Sequence, residues 1–232
     1  MHDQGIFAIL GPIMIGPSSS HTAGALRLAC LARQVFGRPP AQAGIMLHGS
    51  FAKTGQGHGT HLALVGGLLG MSVDDSRLPQ AMELAKAAGL EVDIDEVDLG
   101  PDAHPNTAVF KLHAERHPPM EITGASLGGG LVRIEAINGF EVNLDGNLDA
   151  LVVAHADLPG VIARLCSVMA LYDVNIGEMQ VSRKGRGGEA LTVLELDVPC
   201  PEEVYQCIAN SPQIDWAARV ARLSGPDEGD AR

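Results

Sequence analysis

The chain has 232 residues, 46% of them hydrophobic and 19% charged, a globular composition with room for two ordinary domains, which excludes a disordered tail protein. Sixteen Lys and Arg stand against 28 Asp and Glu, a formal net charge of −12, which argues against a sequence-independent grip on nucleic-acid phosphates or an anionic membrane. Aromatic residues make up 3%, too few for base-stacking platforms.

In chain order, the apolar run at residues 6–15 is interrupted by Gly11 and Pro12 and preceded by no Lys or Arg, so it does not read as a secretory signal. Residues 21–36 have the apolar spacing of a helix, and 45–48 read as a brief strand. Residues 58–69 form a small apolar helix. The apolar run at 62–71 has about half the length that crosses a bilayer, so no membrane segment is expected. Residues 78–88 make an amphipathic helix that Gly89 terminates, and 90–97 alternate as a strand with one wet face. Further strands are expected at 107–112, 120–126 and 131–136. The first domain, 1–146, is therefore α+β, of a substrate-binding type, with a mixed or antiparallel sheet.

The pattern changes at the turn Asn143-Leu144-Asp145-Gly146-Asn147. Beyond it come a strand at 150–155, a helix at 159–172, two strands at 175–182 and 190–198, a helix at 202–209 and a strand at 214–223. The turn Lys184-Gly185-Arg186-Gly187-Gly188 joins the middle pair as a hairpin. This βαββαβ order is the ferredoxin-like split unit, which gives a second domain at 150–223 and a flexible tail at 224–232.

Cys30, Cys166, Cys200 and Cys207 are scattered, without the spacing of a zinc or iron–sulfur site. No metal is expected on this chain, and unpaired thiols suit the cytoplasm.

Three segments carry polar groups suited to chemistry. The first is Gly16-Pro17-Ser18-Ser19-Ser20-His21-Thr22-Ala23-Gly24, a turn with three hydroxyls and a His opening a helix. Ser19 or Ser20 serves as N-cap, and the helix start favours a carboxylate or phosphate. The plain alternative is a capped helix beside a surface His. A nucleophilic Ser is poorly supported, because adjacent side chains on a helix diverge by about 100° and no Gly-x-Ser-x-Gly elbow occurs. The second is Lys53-Thr54-Gly55-Gln56-Gly57-His58-Gly59-Thr60-His61, read as a glycine loop running into a helix start where His58 and His61 share a face. A metal held with His21 or His48 is the weaker alternative to a proton-handling His. The third is Asp157-Leu158-Pro159-Gly160-Val161, a strand-to-helix junction suited to a small amino acid, with Asn175 facing it. Its plain alternative is a helix start in a packing module.

The Ser18-Ser19-Ser20-His21-Thr22 segment, with Gly57-His58-Gly59-Thr60, resembles the beta chain of the iron–sulfur-dependent L-serine dehydratases. From Leu151 onward, with Asp157-Leu158-Pro159-Gly160-Val161, the chain is similar to an ACT domain. The resemblance implies a lyase acting on L-serine with a [4Fe–4S] cluster ligated by a separate alpha chain, this chain being inactive without it. It implies Ser18, Ser19, Ser20, Thr22, Gly59 and Thr60 at the substrate and His21 or His58 as the base. It also implies a regulatory amino-acid site at Asp157, Leu158, Pro159, Gly160, Val161 and Asn175, and a homodimer through the ACT domain. A non-catalytic amino-acid sensor with the same ACT-mediated pairing is the alternative from a different class.

Overall fold

A computed structural model describes residues 18–223. The Gly16-Pro17 turn, the apolar run at 6–15 and the tail at 224–232 lie outside the described residues. A π-helical turn, Ser19–Gly24, runs into α1 (Ala25–Phe36). There follow β1 (Gln42–Leu47), α2 (Gly49–His58), α3 (Thr60–Leu69), a 3₁₀ turn (Leu78–Gln80), α4 (Ala81–Ala87) and β2 (Glu91–Glu96). The strands β3 (Thr107–Ala114), β4 (His117–Gly128), β5 (Leu131–Ile137) and β6 (Phe140–Leu144) complete a sheet ordered β2-β1-β3-β4-β5-β6. β1 and β2 are parallel and the other pairs antiparallel, so the sheet is mixed.

The second unit contains β7 (Asp149–Ala156), α5 (Val161–Leu171), β8 (Ile176–Arg183), β9 (Glu189–Leu196), α6 (Glu202–Ala209) and β10 (Ile214–Val220). Its sheet order, β10-β7-β9-β8, is the ferredoxin-like arrangement expected from the strand and helix spacing. Alternation divides its residues between two cores. Leu151, Val153, Leu194 and Leu196 pack with α5 and α6. Val152, Ala154, Leu191 and Val193 join the core built around α1 and the first sheet. The two sheets thus share one core, and side chains of β8 reach β6. Gln180 Oε1 accepts from the Asn143 amide at 2.8 Å, and Ser182 Oγ donates to the Glu141 carbonyl.

Two expectations change. β6 is a strand where only a turn was expected from 143 onward. It pairs with β5 through Asn138 and Gly139, both at positive φ. Residues 49–58 are helical where a glycine loop was expected. Gly55 and Gly57 each cost roughly 1 kcal/mol in a helix, whereas burying Phe51 completely gains roughly 1.5–3 kcal/mol. The Pro105 carbonyl accepts from the Ser50 and Phe51 amides and holds the start of α2. Tertiary packing outweighs local propensity here.

Candidate functional site

The π-helical turn and α2 converge on the His21 imidazole, and β4 braces the turn. Ser18, not Ser19 or Ser20, is the N-cap: its hydroxyl accepts from the His21 amide at 3.1 Å, and its carbonyl accepts from the Thr22 amide at 2.9 Å. Two of the first amides are therefore already bonded, which trims the expected anion site at this helix start. Gly24, helical at φ −65°, is required for room. A Cβ there would lie 2.0 Å from Ser126 Oγ, and that hydroxyl donates to the Ser20 carbonyl at 2.9 Å. The fully buried Ser126 thus ties the turn to β4.

His21 Nε2 lies 3.1 Å from Thr54 Oγ1 and 3.3 Å from Ser50 Oγ, one turn apart on α2. His21 Nδ1 lies 3.5 Å from Ser20 Oγ, itself 3.4 Å from Ser18 Oγ. The adjacent Ser20 and His21 meet because the π-helical winding is wider than the α-helical one assumed from the sequence. The His58 ring centroid is 5.1 Å from that of His21, and Phe51 meets the His21 ring edge-on at 5.3 Å. Burial, and secondly the neighbouring His58, lower the His21 pKa. Both effects disfavour the cation and favour a neutral, proton-accepting imidazole.

The other expected residues divide. Ser19 lies half-buried within the turn. Thr22 is buried and donates to the His58 carbonyl at 3.1 Å, fixing α2 against the turn. Gly59 stands between α2 and α3 at φ 69°. Thr60, expected at the substrate, is instead fully buried, and a Cβ on Gly55 would lie 3.3 Å from its side chain. His61 lines a cavity of about 450 Å³ with Leu47, Phe51, Ile94, Asp95 and Glu96. His48 accepts from the Leu99 amide at 3.2 Å. Among the described residues no three His, Cys, Asp or Glu side chains converge as metal ligands.

Sequence reasoning missed Ser50 and Ser126, and it gave Thr54, although within the second segment, no role of its own. Ser50 and Thr54 did carry a signal, their i, i+4 spacing, once α2 is known to be helical.

A [4Fe–4S] cluster needs clustered Cys thiolates. Burial pushes the Cys30 and Cys200 thiols up to about 11, and Cys166 and Cys207 lie on α5 and α6. The donor set of this chain does not fit such a cluster.

At the third segment the helix begins at Val161, so Pro159 precedes it, and Gly160 caps it at φ 91°. Leu158 is exposed. The Asp157 carboxylate accepts from the Gly187 amide at 2.9 Å and from Arg183 at 3.2 Å. The Gly187 bond chiefly, then Arg183, lowers its pKa. Asn175 does not face this junction in the same chain. It donates to Asp197 at 2.6 Å at the other end of the sheet: Ala156 pairs with Glu189 and Ile176 with Leu196, roughly 23 Å of strand apart. A split βαββ unit forces this, since β7 and β8 run in the same direction and the helix returns the chain to the starting end.

A family described as serine dehydratase beta chain matches residues 6–137. The chain is 41% identical over 221 residues to a probable L-serine dehydratase, beta chain, of Bacillus subtilis (strain 168), covering 95% of this chain and 100% of that one. It is 36% identical over 220 residues to the L-serine dehydratase, beta chain, of Peptoniphilus asaccharolyticus, covering 95% and 99%. It is also 39% identical over 101 residues to a D-3-phosphoglycerate dehydrogenase of Methanocaldococcus jannaschii (strain ATCC 43067 / DSM 2661 / JAL-1 / JCM 10045 / NBRC 100440), 44% of this chain and 19% of that one.

Proposed function

The chain belongs to the serine dehydratase beta chain family, and from that premise we propose that it holds L-serine for conversion to pyruvate and ammonia, in complex with a separate alpha chain. The observation that carries this reading is the convergence of the Ser20, Ser50 and Thr54 hydroxyls on the His21 imidazole beside His58, with the Ser18 hydroxyl next to that of Ser20. The Ser18 and Ser20 hydroxyls suit the serine carboxylate as donors, and a neutral imidazole suits the α-proton.

The Cα–H bond breaks toward an imidazole nitrogen of this pair. Its electron pair forms the Cα–Cβ double bond as the β-hydroxyl departs, taking up a proton as water. The resulting enamine tautomerises to an imine, which water hydrolyses to pyruvate and ammonia. A [4Fe–4S] cluster, held by the alpha chain and not by residues of this one, would supply a Lewis acid for the poor leaving group. Thr22 holds the turn against α2, and Ser126 holds it against β4.

The ACT unit is proposed to pair two copies of this chain. β8 is an edge strand, and Met179 and Val181 on it are exposed, as are Leu171 and Tyr172 at the end of α5. Uncovered edges of this kind invite a partner strand. Residues 157–161 are proposed to bind a regulatory amino acid. The unpaired thiols suit a cytoplasmic setting.

The test is co-expression with a cysteine-bearing alpha chain, anaerobic reconstitution with iron and sulfide, and measurement of pyruvate from L-serine. Turnover that needs both chains supports the proposal, and none from a cluster-loaded complex defeats it. The second reading, a non-catalytic amino-acid sensor, draws on the dehydrogenase relative: its match of 101 residues is longer than the ACT-like unit, so an enzyme of another kind shares more than that unit. Serine binding with no turnover in any complex would favour it.

A further inference from the structure

The hydroxyls on α2 determine which nitrogen of His21 carries its proton. Thr54 Oγ1 lies 2.9 Å from the Ser50 carbonyl one turn back. A carbonyl only accepts, so the single Thr54 hydroxyl proton is committed there. Toward His21 Nε2, 3.1 Å away, Thr54 therefore presents a lone pair. A bare Nε2 would set lone pair against lone pair at that distance. A protonated Nε2 donates to Thr54 and is shared with Ser50 Oγ at 3.3 Å. Among the described residues, the opposite tautomer would give the Nδ1 proton only Ser20 Oγ at 3.5 Å, at the outer limit of a hydrogen bond. The same assignment leaves Nδ1 the less committed nitrogen, on the side of the Ser18 and Ser20 hydroxyls.

We propose that Thr54 is a positioning residue that fixes His21 as the Nε2–H tautomer, so that Nδ1 is the nitrogen that takes the substrate's α-proton. The base role rests on the dehydratase reading; the tautomer does not. In the step itself the Cα–H bond breaks, an Nδ1–H bond forms, and the electron pair left on Cα forms the double bond as the β-hydroxyl departs. The imidazole, now protonated on both nitrogens, keeps its Nε2 donor bonds throughout. That proton is returned to the departing hydroxyl, so the histidine ends as it began. Ser50 alone does not impose this arrangement, because its own hydroxyl proton is not committed to a carbonyl acceptor and can point either way.

The test has two readouts. Nitrogen-15 spectra of the imidazole groups in the isolated full-length chain, assigned by loss of the His21→Gln signals, report the tautomer without any turnover. The Nε2–H pattern is expected for His21, shifting toward a mixture in Thr54→Val and retained in Thr54→Ser. In the reconstituted complex, Thr54→Val is expected to lower kcat roughly 10- to 100-fold, less than loss of a charged partner that holds a catalytic histidine. KM should change less than about twofold and Thr54→Ser should restore most of kcat, because the lost interaction acts in the transition state. An Nδ1–H pattern in the unaltered chain overturns the tautomer assignment even if turnover is normal. Equal kcat in Thr54→Val and the unaltered complex overturns the positioning role. An Nε2–H pattern beside a cluster-loaded complex that does not turn over removes the dehydratase reading, and with it the Nδ1 base, while leaving the tautomer standing.

Discussion

Two helix starts in this chain are opened by glycine for opposite reasons. At the first, Gly24 has ordinary helical angles, φ −65° and ψ −41°, but no room: a Cβ would lie 2.0 Å from Ser126 Oγ. At the second, Gly160 sits at φ 91°, and a Cβ would meet nothing within 4 Å. One glycine is demanded by neighbours, the other by its own backbone. The first start is held on every side by distant segments: Ser126 on β4, the His58 carbonyl, and Ser50 and Thr54 on α2. The second is braced on one side by the hairpin through Asp157 and open on the other. A site that moves a proton needs its groups fixed before the substrate arrives. A site that senses a ligand or a second copy needs unfilled space. Under the proposed function, the two glycines would mark that division of labour.

The comparison is broken most forcefully at His21. His21→Ala is expected to lower turnover of the reconstituted complex roughly 100- to 10,000-fold, with an unchanged circular dichroism spectrum; turnover within a factor of two would remove its catalytic role. Because its pKa is lowered, the acid limb of kcat/KM should lie below the ordinary histidine value of about 6.5. His58→Gln removes the smaller, charge-based part of that depression, so the limb should move up, but not all the way, since burial remains. The linked stability has the matching sign. A histidine depressed in the folded state contributes stability above its ordinary value, and this is lost as pH falls through the depressed value. Melting temperatures across that range should therefore fall on acidification, and less so in His21→Ala.

Next comes Gly24→Ala. Alanine is intrinsically better in a helix by roughly 1 kcal/mol, but overpacking costs roughly 1–3 kcal/mol, and the clash also displaces the hydroxyl bonded to Ser20. Net destabilisation in calorimetry is expected, largely relieved by adding Ser126→Gly. Gly160→Ala pays a backbone cost of roughly 1–2 kcal/mol that no neighbouring substitution relieves. Gly160→Asn should cost less than Gly160→Ala, because asparagine tolerates left-handed angles. If a neighbour rescues Gly160→Ala, or none rescues Gly24→Ala, the distinction between the two starts fails.

The second unit was readable from sequence almost strand by strand, because alternation, one helical period and the Lys184–Gly188 turn are all local signals. Residues 202–209 were expected to be helical, and α6 spans Glu202–Ala209. The first domain was less legible wherever long-range contact overrides local preference. α2 forms despite Gly55 and Gly57 because Phe51 is buried and Pro105 caps its first amides. β6 is not expected from the sequence although Asn138-Gly139 is a strong hairpin signal, because the Asn143–Asn147 turn signal overlaps the end of so short a strand. The Ser-Ser-Ser-His segment itself announced a site. Its partners did not: Ser50 and Thr54 lie 29 and 33 residues from His21, and Ser126 lies 106 residues from Ser20. Nothing in local spacing carries such pairings.

The smallest expected effect lies at Asp157, where the second start meets the hairpin. Its carboxylate accepts from the Gly187 amide and from Arg183, and both contacts are at the surface, where an ion pair contributes little to global stability. Asp157→Ala should therefore leave the melting temperature nearly unchanged. It should still speed hydrogen exchange at the Gly187 amide, because that donor loses its acceptor and the turn opens locally. The lowered carboxyl pKa gives the pH sign. The bond is intact above the ordinary carboxylate value of about 3.9, and its contribution is lost as pH falls through the lower folded-state value. Protection of Gly187 in the unaltered chain should therefore fall to the Asp157→Ala level only in that acid range. A regulatory amino acid bound at 157–161 should slow the same exchange at neutral pH without touching the Ser20 or Thr22 amides. Equal protection at both starts would mean that they are one coupled unit, and the contrast between the two glycines would then reflect local packing alone.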